Sequence, residues 1–332
     1  MLLGMTDIES RWRVGFRLLI FVALTSFILL SAVASFGQSD DKVIRVDTEL
    51  ATFEVLVEDK DGKPVRGLGP EEFRIFENGI EKRVDFFQPM RNKAALRPMV
   101  VVLAVDVSGS VTPAEIEKLK SEITAFMKSF SDFESYFALV SFAMTVNKLK
   151  SFTNKPEEII KSLSKLSREQ DGRSTHAYDG ADAAVRLIAR STPKALRNRN
   201  PKRAVILITD GFPVGDIVSP ATVIERANDA ETSIYSVILP SFSPLQREAR
   251  PLMTLLDASG LVEKTGGTTL YAGEEGLSPL FKTLAEELTA SYAIAYYPDK
   301  KNAGVEGKRV VRIESKKGYK VKQNRESFEL NK

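Results

Sequence analysis

Met99-Val100-Val101-Val102-Leu103-Ala104-Val105-Asp106-Val107-Ser108-Gly109-Ser110 opens on seven apolar residues and closes on an aspartate and two serines. A continuous, β-branched apolar run is what a strand buried on both faces looks like, since a half-wet strand alternates. Directly after it, Thr112-Pro113-Ala114-Glu115 reads as a helix start. Thr112 can cap, Pro113 suits the first helical position and Glu115 completes a capping box. Ile116, Leu119, Ile123, Phe126, Met127 and Phe130 then fall at helical spacing and predict one apolar face.

Working outward, strands and helices continue to alternate. Tyr136 to Ala143 and Val146 to Phe152 read as strands whose connection is too short for a parallel crossover, so they form an antiparallel hairpin at a sheet edge. Helices are expected over Pro156 to Leu166 and Asp179 to Arg190, then a strand over Ala204 to Thr209. Pro220 to Ala230 follows as helix, Ser233 to Leu239 as strand, Arg250 to Lys264 as helix, Thr268 to Tyr271 as strand and Gly276 to Thr289 as helix. This order implies an α/β fold with a doubly wound, mostly parallel six-stranded sheet, Rossmann-like in winding.

Both flanks read as β. Before the sheet, Phe53, Val55 and Val57 alternate with Thr52, Glu54 and Leu56. Asp61-Gly62 marks a turn, and Asn78-Gly79 marks a hairpin between Phe73-Ile75-Phe76 and Val84-Phe86-Phe87. After it, Tyr292, Ile294 and Tyr296 alternate, as do Val311 and Ile313 with Val310, Arg312 and Glu314. Each piece is small to fold alone, so the two are expected to share a core, with the α/β domain inserted between them. The resulting division is 1–37 as leader, 43–90 as an N-terminal β unit, 98–290 as the α/β domain and 291–330 as C-terminal strands.

The leader carries Arg11, Arg13 and Arg17, an apolar run from Leu18 to Ala34, and Ala32-Val33-Ala34 as a signal-peptidase pattern. Export is expected, to the periplasm, the medium or the cell envelope. At about 17 residues the run also suits an uncleaved membrane anchor, an alternative that places the remainder outside as well. The 332 residues are 43% hydrophobic and 27% charged, with 47 basic and 44 acidic side chains, a near balance that points to no nucleic-acid partner. The basic stretch Lys194 to Arg203 has no interleaved aromatic residue for stacking on bases and reads as a solvated loop. Absence of cysteine excludes disulfides, thiolate metal sites and a cysteine nucleophile, and the single histidine, His176, excludes a histidine-rich cluster.

Ligands of open α/β sheets bind at the carboxyl ends of the strands, where Asp106, Ser108 and Ser110 lie on one turn. Thr209-Asp210-Gly211 brings Asp210 to the end of a second apolar strand, at the same edge. Two carboxylates and several hydroxyls form a hard oxygen set that suits magnesium or manganese, with calcium as an alternative, and does not suit zinc or copper. A charge of about −2 neutralises a dication and leaves it able to attract one more anionic ligand, such as an acidic residue of a partner. Asp179 and Asp182 read as helix-start charges, and Asp216 as an ordinary exposed acid.

With these residues in order, the chain from Pro98 to Pro298 resembles the von Willebrand factor type A family. Its metal-ion-dependent adhesion site runs Asp-x-Ser-x-Ser, then a threonine, then an aspartate in a Thr-Asp-Gly-like turn. Asp106, Ser108, Ser110 and Asp210 match directly. Thr175 is the matching threonine, because Thr175-His176-Ala177-Tyr178-Asp179 leads straight into a helix. Arg173 and Ser174 stand where the family has glycines, and the Arg173 charge works against a cation nearby. The resemblance implies that Ser108, Ser110 and Thr175 coordinate the ion directly or through water, with the aspartates often one layer out. It also implies that an Asp or Glu of a protein ligand completes the octahedron. The β flanks look like those of exported bacterial proteins in a related subfamily. The function implied is metal-dependent protein binding, in adhesion or in assembly of an envelope complex. The alternative is a scaffold or chaperone-like subunit with a vestigial metal site. Catalysis finds little support: Ser108 replaces the second acid of an Asp-x-Asp phosphotransferase pair, and no Gly-x-Ser-x-Gly elbow is present.

Overall fold

The computed structural model describes residues 50–91, 96–109, 111–167, 175–239, 253–299 and 307–329; the leader, Ser110 and Arg173-Ser174 lie outside them. Strands β1 (Ala51–Glu58), β2 (Phe73–Glu77), β3 (Ile80–Lys82) and β4 (Phe86–Pro89) come first. The α/β part follows as β5 (Met99–Asp106), α1 (Pro113–Lys128), β6 (Ser135–Phe142), β7 (Val146–Thr153), α2 (Pro156–Leu163), α3 (Ala177–Ser191) and β8 (Lys202–Thr209). It continues as α4 (Pro220–Asp229), β9 (Thr232–Ile238), α5 (Leu255–Ala258), β10 (Thr269–Tyr271) and α6 (Ser278–Ala290). Strands β11 (Tyr292–Tyr296), β12 (Lys308–Ser315), β13 (Lys320–Gln323) and β14 (Ser327–Glu329) close the chain. Among the described residues no helix is long and apolar enough to cross a membrane.

The central sheet runs β10-β9-β8-β5-β6-β7, parallel throughout except for the β7 edge. All eight residues of β5 are buried because both faces are covered. Met99, Val101, Leu103 and Val105 join a core with α1, α2 and α6, whereas Val100, Val102 and Ala104 join one with α3 and α4. The Thr112–Glu115 capping box opens α1 as its sequence predicts.

Two four-stranded antiparallel sheets, β13-β1-β11-β4 and β14-β12-β2-β3, make the flanking β unit. Strands from opposite ends of the chain pair directly: β1 with β11 and β13, and β2 with β12. The two sheets share an aromatic core, with Phe53 edge-on to Phe328 at 5.9 Å and Phe73 against Tyr292 at 5.6 Å.

Four local readings are corrected. Asn78 (φ 48°) and Gly79 (φ 82°) do make a tight turn, but it joins β2 only to the three-residue β3. Phe86 and Phe87 instead enter the other sheet beside β11, where the Phe87 ring stacks on Tyr292 at 5.5 Å. The helix expected over Arg250 to Lys264 is, within the described residues, only α5 and a 3-10 turn, Glu263–Thr265. Gly260, at φ +69°, breaks the run between them. Lys194 to Arg203 is only in part the solvated loop expected: Lys194, Arg197 and Arg199 are exposed, but Lys194–Arg199 is a 3-10 turn, Arg199 meets Glu134 at 2.5 Å and Arg203 meets Glu231 at 2.9 Å. Finally, β1 has no wet face, because the side bearing Glu54 and Leu56 is covered too.

That second face of β1 meets the amino ends of the parallel strands. Glu54 is buried against Arg97, just before β5, and against Lys202, the first residue of β8, at 3.2 Å. Burial pushes the Glu54 carboxyl up, but the Arg97 and Lys202 charges outweigh it and hold the group below its ordinary value. Lys202 also reaches Ser233 Oγ at 3.3 Å. Alongside, Lys322 of β13 donates to Glu58 of β1 and to Thr268 at 3.0 Å, and Thr268 donates to Glu287 of α6 at 2.7 Å.

Removing one member of a buried charge cluster strands the others. Glu54→Gln is therefore expected to lower unfolding free energy by about 3–5 kcal/mol. In urea unfolding the double variant Glu54→Gln/Lys202→Met should recover part of that loss, because one of the two stranded cations is gone. A double variant no better than the sum of its singles would show that the charges are not coupled.

Candidate metal centre

Strands β5 and β8 are parallel neighbours, Val105 lying opposite Ile208, so Asp106 and Asp210 reach the same edge of the sheet. Asp106 is fully buried and both its oxygens are engaged. Oδ1 accepts the Ser108 amide at 2.8 Å, and Oδ2 accepts the Thr209 hydroxyl at 2.8 Å. Asp210 is buried and accepts the Phe212 amide at 3.1 Å. Burial pushes the Asp106 carboxyl up to about 6, against the hydrogen bonds from Ser108 and Thr209; the Asp210 charge pushes it the same way as burial.

Thr175 comes from a different part of the chain. Its hydroxyl donates to Ser108 Oγ at 3.1 Å, and both groups are buried. Two backbone bonds to Val214, at 3.2 and 2.9 Å, hold Thr175 against the loop that follows Asp210. The His176 amide, one residue on, donates to the Ala143 carbonyl after β6 at 3.0 Å. Asp106, Ser108, Thr175 and Asp210 are thus gathered at one edge, while Ser110 lies outside the described residues.

Two acids that seemed ordinary in the sequence lock this arrangement. Asp216 accepts the amides of Tyr178 at 2.7 Å and Asp179 at 3.0 Å, capping the start of α3 from another loop. In return Asp179 accepts the amides of Ile217 and Val218 at 3.1 and 2.8 Å, and its other oxygen lies 3.1 Å from His176 Nδ1. Asp216 is therefore a half-buried capping residue and not the exposed acid expected. Asp182 is also more than a helix-start charge: it is buried between Arg186 at 2.7 Å and Arg226 at 2.6 Å. Gly211 is required where it stands. Its φ is +85°, and a Cβ there would meet Thr254 Cγ2 at 2.8 Å.

The donors fit a hard divalent cation. Two buried carboxylates of like charge lie at one edge, beside two hydroxyls already turned toward each other, and a cation there would stabilise the Asp106 carboxylate that burial, and after it the Asp210 charge, disfavours. Among the described residues no group of three or more His, Cys, Asp or Glu could hold a metal, so an ion here depends on hydroxyl oxygens. Thr209 was missed in the sequence as the group that orients Asp106; its place beside Asp210 in the Thr-Asp-Gly turn was the available signal.

Residues 101–250 match the family model described as "von Willebrand factor type A domain". Inter alpha-trypsin inhibitor heavy chain 4 of Mus musculus is 24% identical over 204 residues, 60% of this chain and 21% of that protein. The chain thus spans about one fifth of that relative's length. Among solved structures, an aerotolerance-related membrane protein from Bacteroides fragilis aligns with a TM-score of 0.45 at 17% identity, over 57% of this chain and 98% of its own. Proximal thread matrix protein 1 from the mussel byssus, in a form with a zinc-occupied adhesion motif, aligns with a TM-score of 0.47 at 17% identity, over 61% of this chain and 49% of its own.

The Asp216 cap is testable by itself. Asp216→Ala removes the acceptor for two amides at the start of α3 and is expected to lower stability by about 1–2 kcal/mol. Asp216→Asn keeps an acceptor oxygen and should lose less. Equal losses in urea unfolding would mean that charge, not hydrogen bonding, holds α3 in place.

Proposed function

Residues 101–250 of this chain are a von Willebrand factor type A domain, and we propose that it binds a divalent cation through Asp106, Ser108, Ser110, Thr175 and Asp210 in order to grip an acidic side chain of another protein. Such domains commonly mediate protein–protein contacts, are generally non-catalytic and often hold a divalent metal. One observation carries the reading here: the Ser108 and Thr175 hydroxyls meet at 3.1 Å beside two buried carboxylates with like charges. Hydroxyl and carboxylate oxygens from three separated parts of the chain meet at the end of a parallel sheet, which supports this reading.

Magnesium or manganese is the proposed ion, with calcium as the alternative, because the donors are all oxygen. When bound, the ion supplies a positive centre that accepts a carboxylate. Ser108 and Thr175 present the hydroxyls that would hold it, and Asp106 and Asp210 balance its charge. Asp106 is already fixed by the Ser108 amide and the Thr209 hydroxyl, so little reorganisation is needed on its part. The partner is a protein presenting Asp or Glu, in adhesion or envelope-complex assembly. Arg11 to Ala34, with its basic flank, apolar run and small-residue end, supports a place outside the cytoplasm.

Calorimetry tests the site on the full chain, kept in mild detergent because of the apolar 18–34 stretch. Wild type is expected to bind Mg²⁺ and Mn²⁺ saturably, Asp106→Ala to bind neither, and Thr209→Val to lose about 10–100-fold in affinity through Asp106. A wild type that takes up no ion would leave a metal-free scaffold as the reading.

A further inference from the structure

Large apolar side chains are exposed at eight positions among the described residues, and five of these crowd the edge that carries the metal centre. Met144 follows the carbonyl of Ala143 that receives the His176 amide. Val214 is bonded through its backbone to Thr175, and Ile217 through its amide to Asp179. Met253 and Leu255 flank Thr254, which packs on Gly211 next to Asp210. The most open are Ile217 at 88% and Met253 at 77% of their full exposure. Single exposed apolar residues are ordinary, but five drawn from three loops, each loop bonded to or packed on residues beside one polar centre, suit an interaction surface.

Two acids described beside these residues, Asp179 and Asp216, are engaged by the fold itself. Asp216 and Asp179 lie between the apolar residues in sequence or in space, and both accept backbone amides, Asp179 nearly covered and Asp216 half-buried. Among the described residues of these three loops, the large side chains most open to solvent are apolar. A partner that buried these side chains would drive water from beside the polar centre, and an ion–carboxylate attraction strengthens as its surroundings become less polar.

We propose that the partner of this edge is a protein segment in which one Asp or Glu is flanked on both sides by large apolar residues; this rests on the metal-binding reading above. A uniformly acidic or hydrophilic segment would leave these apolar side chains exposed to water. The apolar flanks supply affinity, and the acid fixes the register on the ion.

Three labelled peptides with common Gly-Ser tails test this by fluorescence anisotropy against the full chain in Mn²⁺: Leu-Phe-Asp-Leu-Phe, Gly-Ser-Asp-Ser-Gly and Leu-Phe-Asn-Leu-Phe. The first is expected to bind at least about tenfold more tightly than either of the others, and to be released by EDTA. The triple variant Met144→Ser/Ile217→Ser/Met253→Ser should bind the first peptide no better than the second, while its calorimetric Mn²⁺ affinity stays that of wild type. If Mn²⁺ binds but the two Asp peptides bind alike, if none binds, or if the triple variant keeps the preference, the apolar-partner inference is overturned and the metal site stands. If wild type binds no Mn²⁺, the metal reading itself fails, and this inference fails with it.

Discussion

Glu54 carries a negative charge buried between β1 and the amino ends of β5 and β8, and that placement governs which end of the parallel sheet is left for a partner. A carboxylate taken out of water is tolerable only with cations beside it, and the cations here come from the α/β domain: Arg97 before β5 and Lys202 at the start of β8. The β unit is thereby joined to one end of the sheet. Glu58, Lys322, Thr268 and Glu287 extend the joint to α6. The opposite end, where Asp106 and Asp210 lie, stays clear of that joint.

The two ends of the sheet use buried charge in opposite ways. At the amino end Glu54 and Glu58 each have a protein cation against them, and Glu287 accepts the Thr268 hydroxyl. At the carboxyl end the charge acting on Asp106 is another carboxylate, and the group is pushed up to about 6 by burial with that repulsion added. Hydroxyls and amides orient the acids there without neutralising them. A cluster complete within the protein holds the structure together, whereas one that lacks its counter-charge is suited to take an ion from outside.

How much of this was legible in the sequence follows from the range of the interactions. The all-buried β5, the α1 capping box and the β7 edge hairpin were readable because each depends on neighbours a few residues away. Asp106, Ser108 and Asp210 were readable because strand ends fix where they lie. The role of Glu54 was not, since nothing in an alternating Thr52 to Val57 pattern tells that its polar face will be covered by Arg97 and Lys202 from other strands. Asp216 misled for the same reason: an acid in a polar loop reads as solvated until α3, 38 residues away in the case of Tyr178, brings it free amides. The β3–β4 break depended on the Phe87–Tyr292 stack, which joins opposite ends of the chain.

The clasp between Asp179 and Asp216 links site geometry to the character of the surface. Each acid is engaged by amides of the other's loop, so the contact that holds Thr175 near Ser108 also withdraws two carboxylates from the partner-facing edge. Had those acids faced outward, they would have repelled the carboxylate that a bound cation attracts, and at a spacing shorter than the screening length in physiological salt. Satisfying helix and loop amides with them keeps two carboxylates engaged by the fold beside the proposed ion site, near the exposed Val214, Ile217 and Leu255. The same pair of side chains thus meets a local folding requirement and suits the acidic partner proposed.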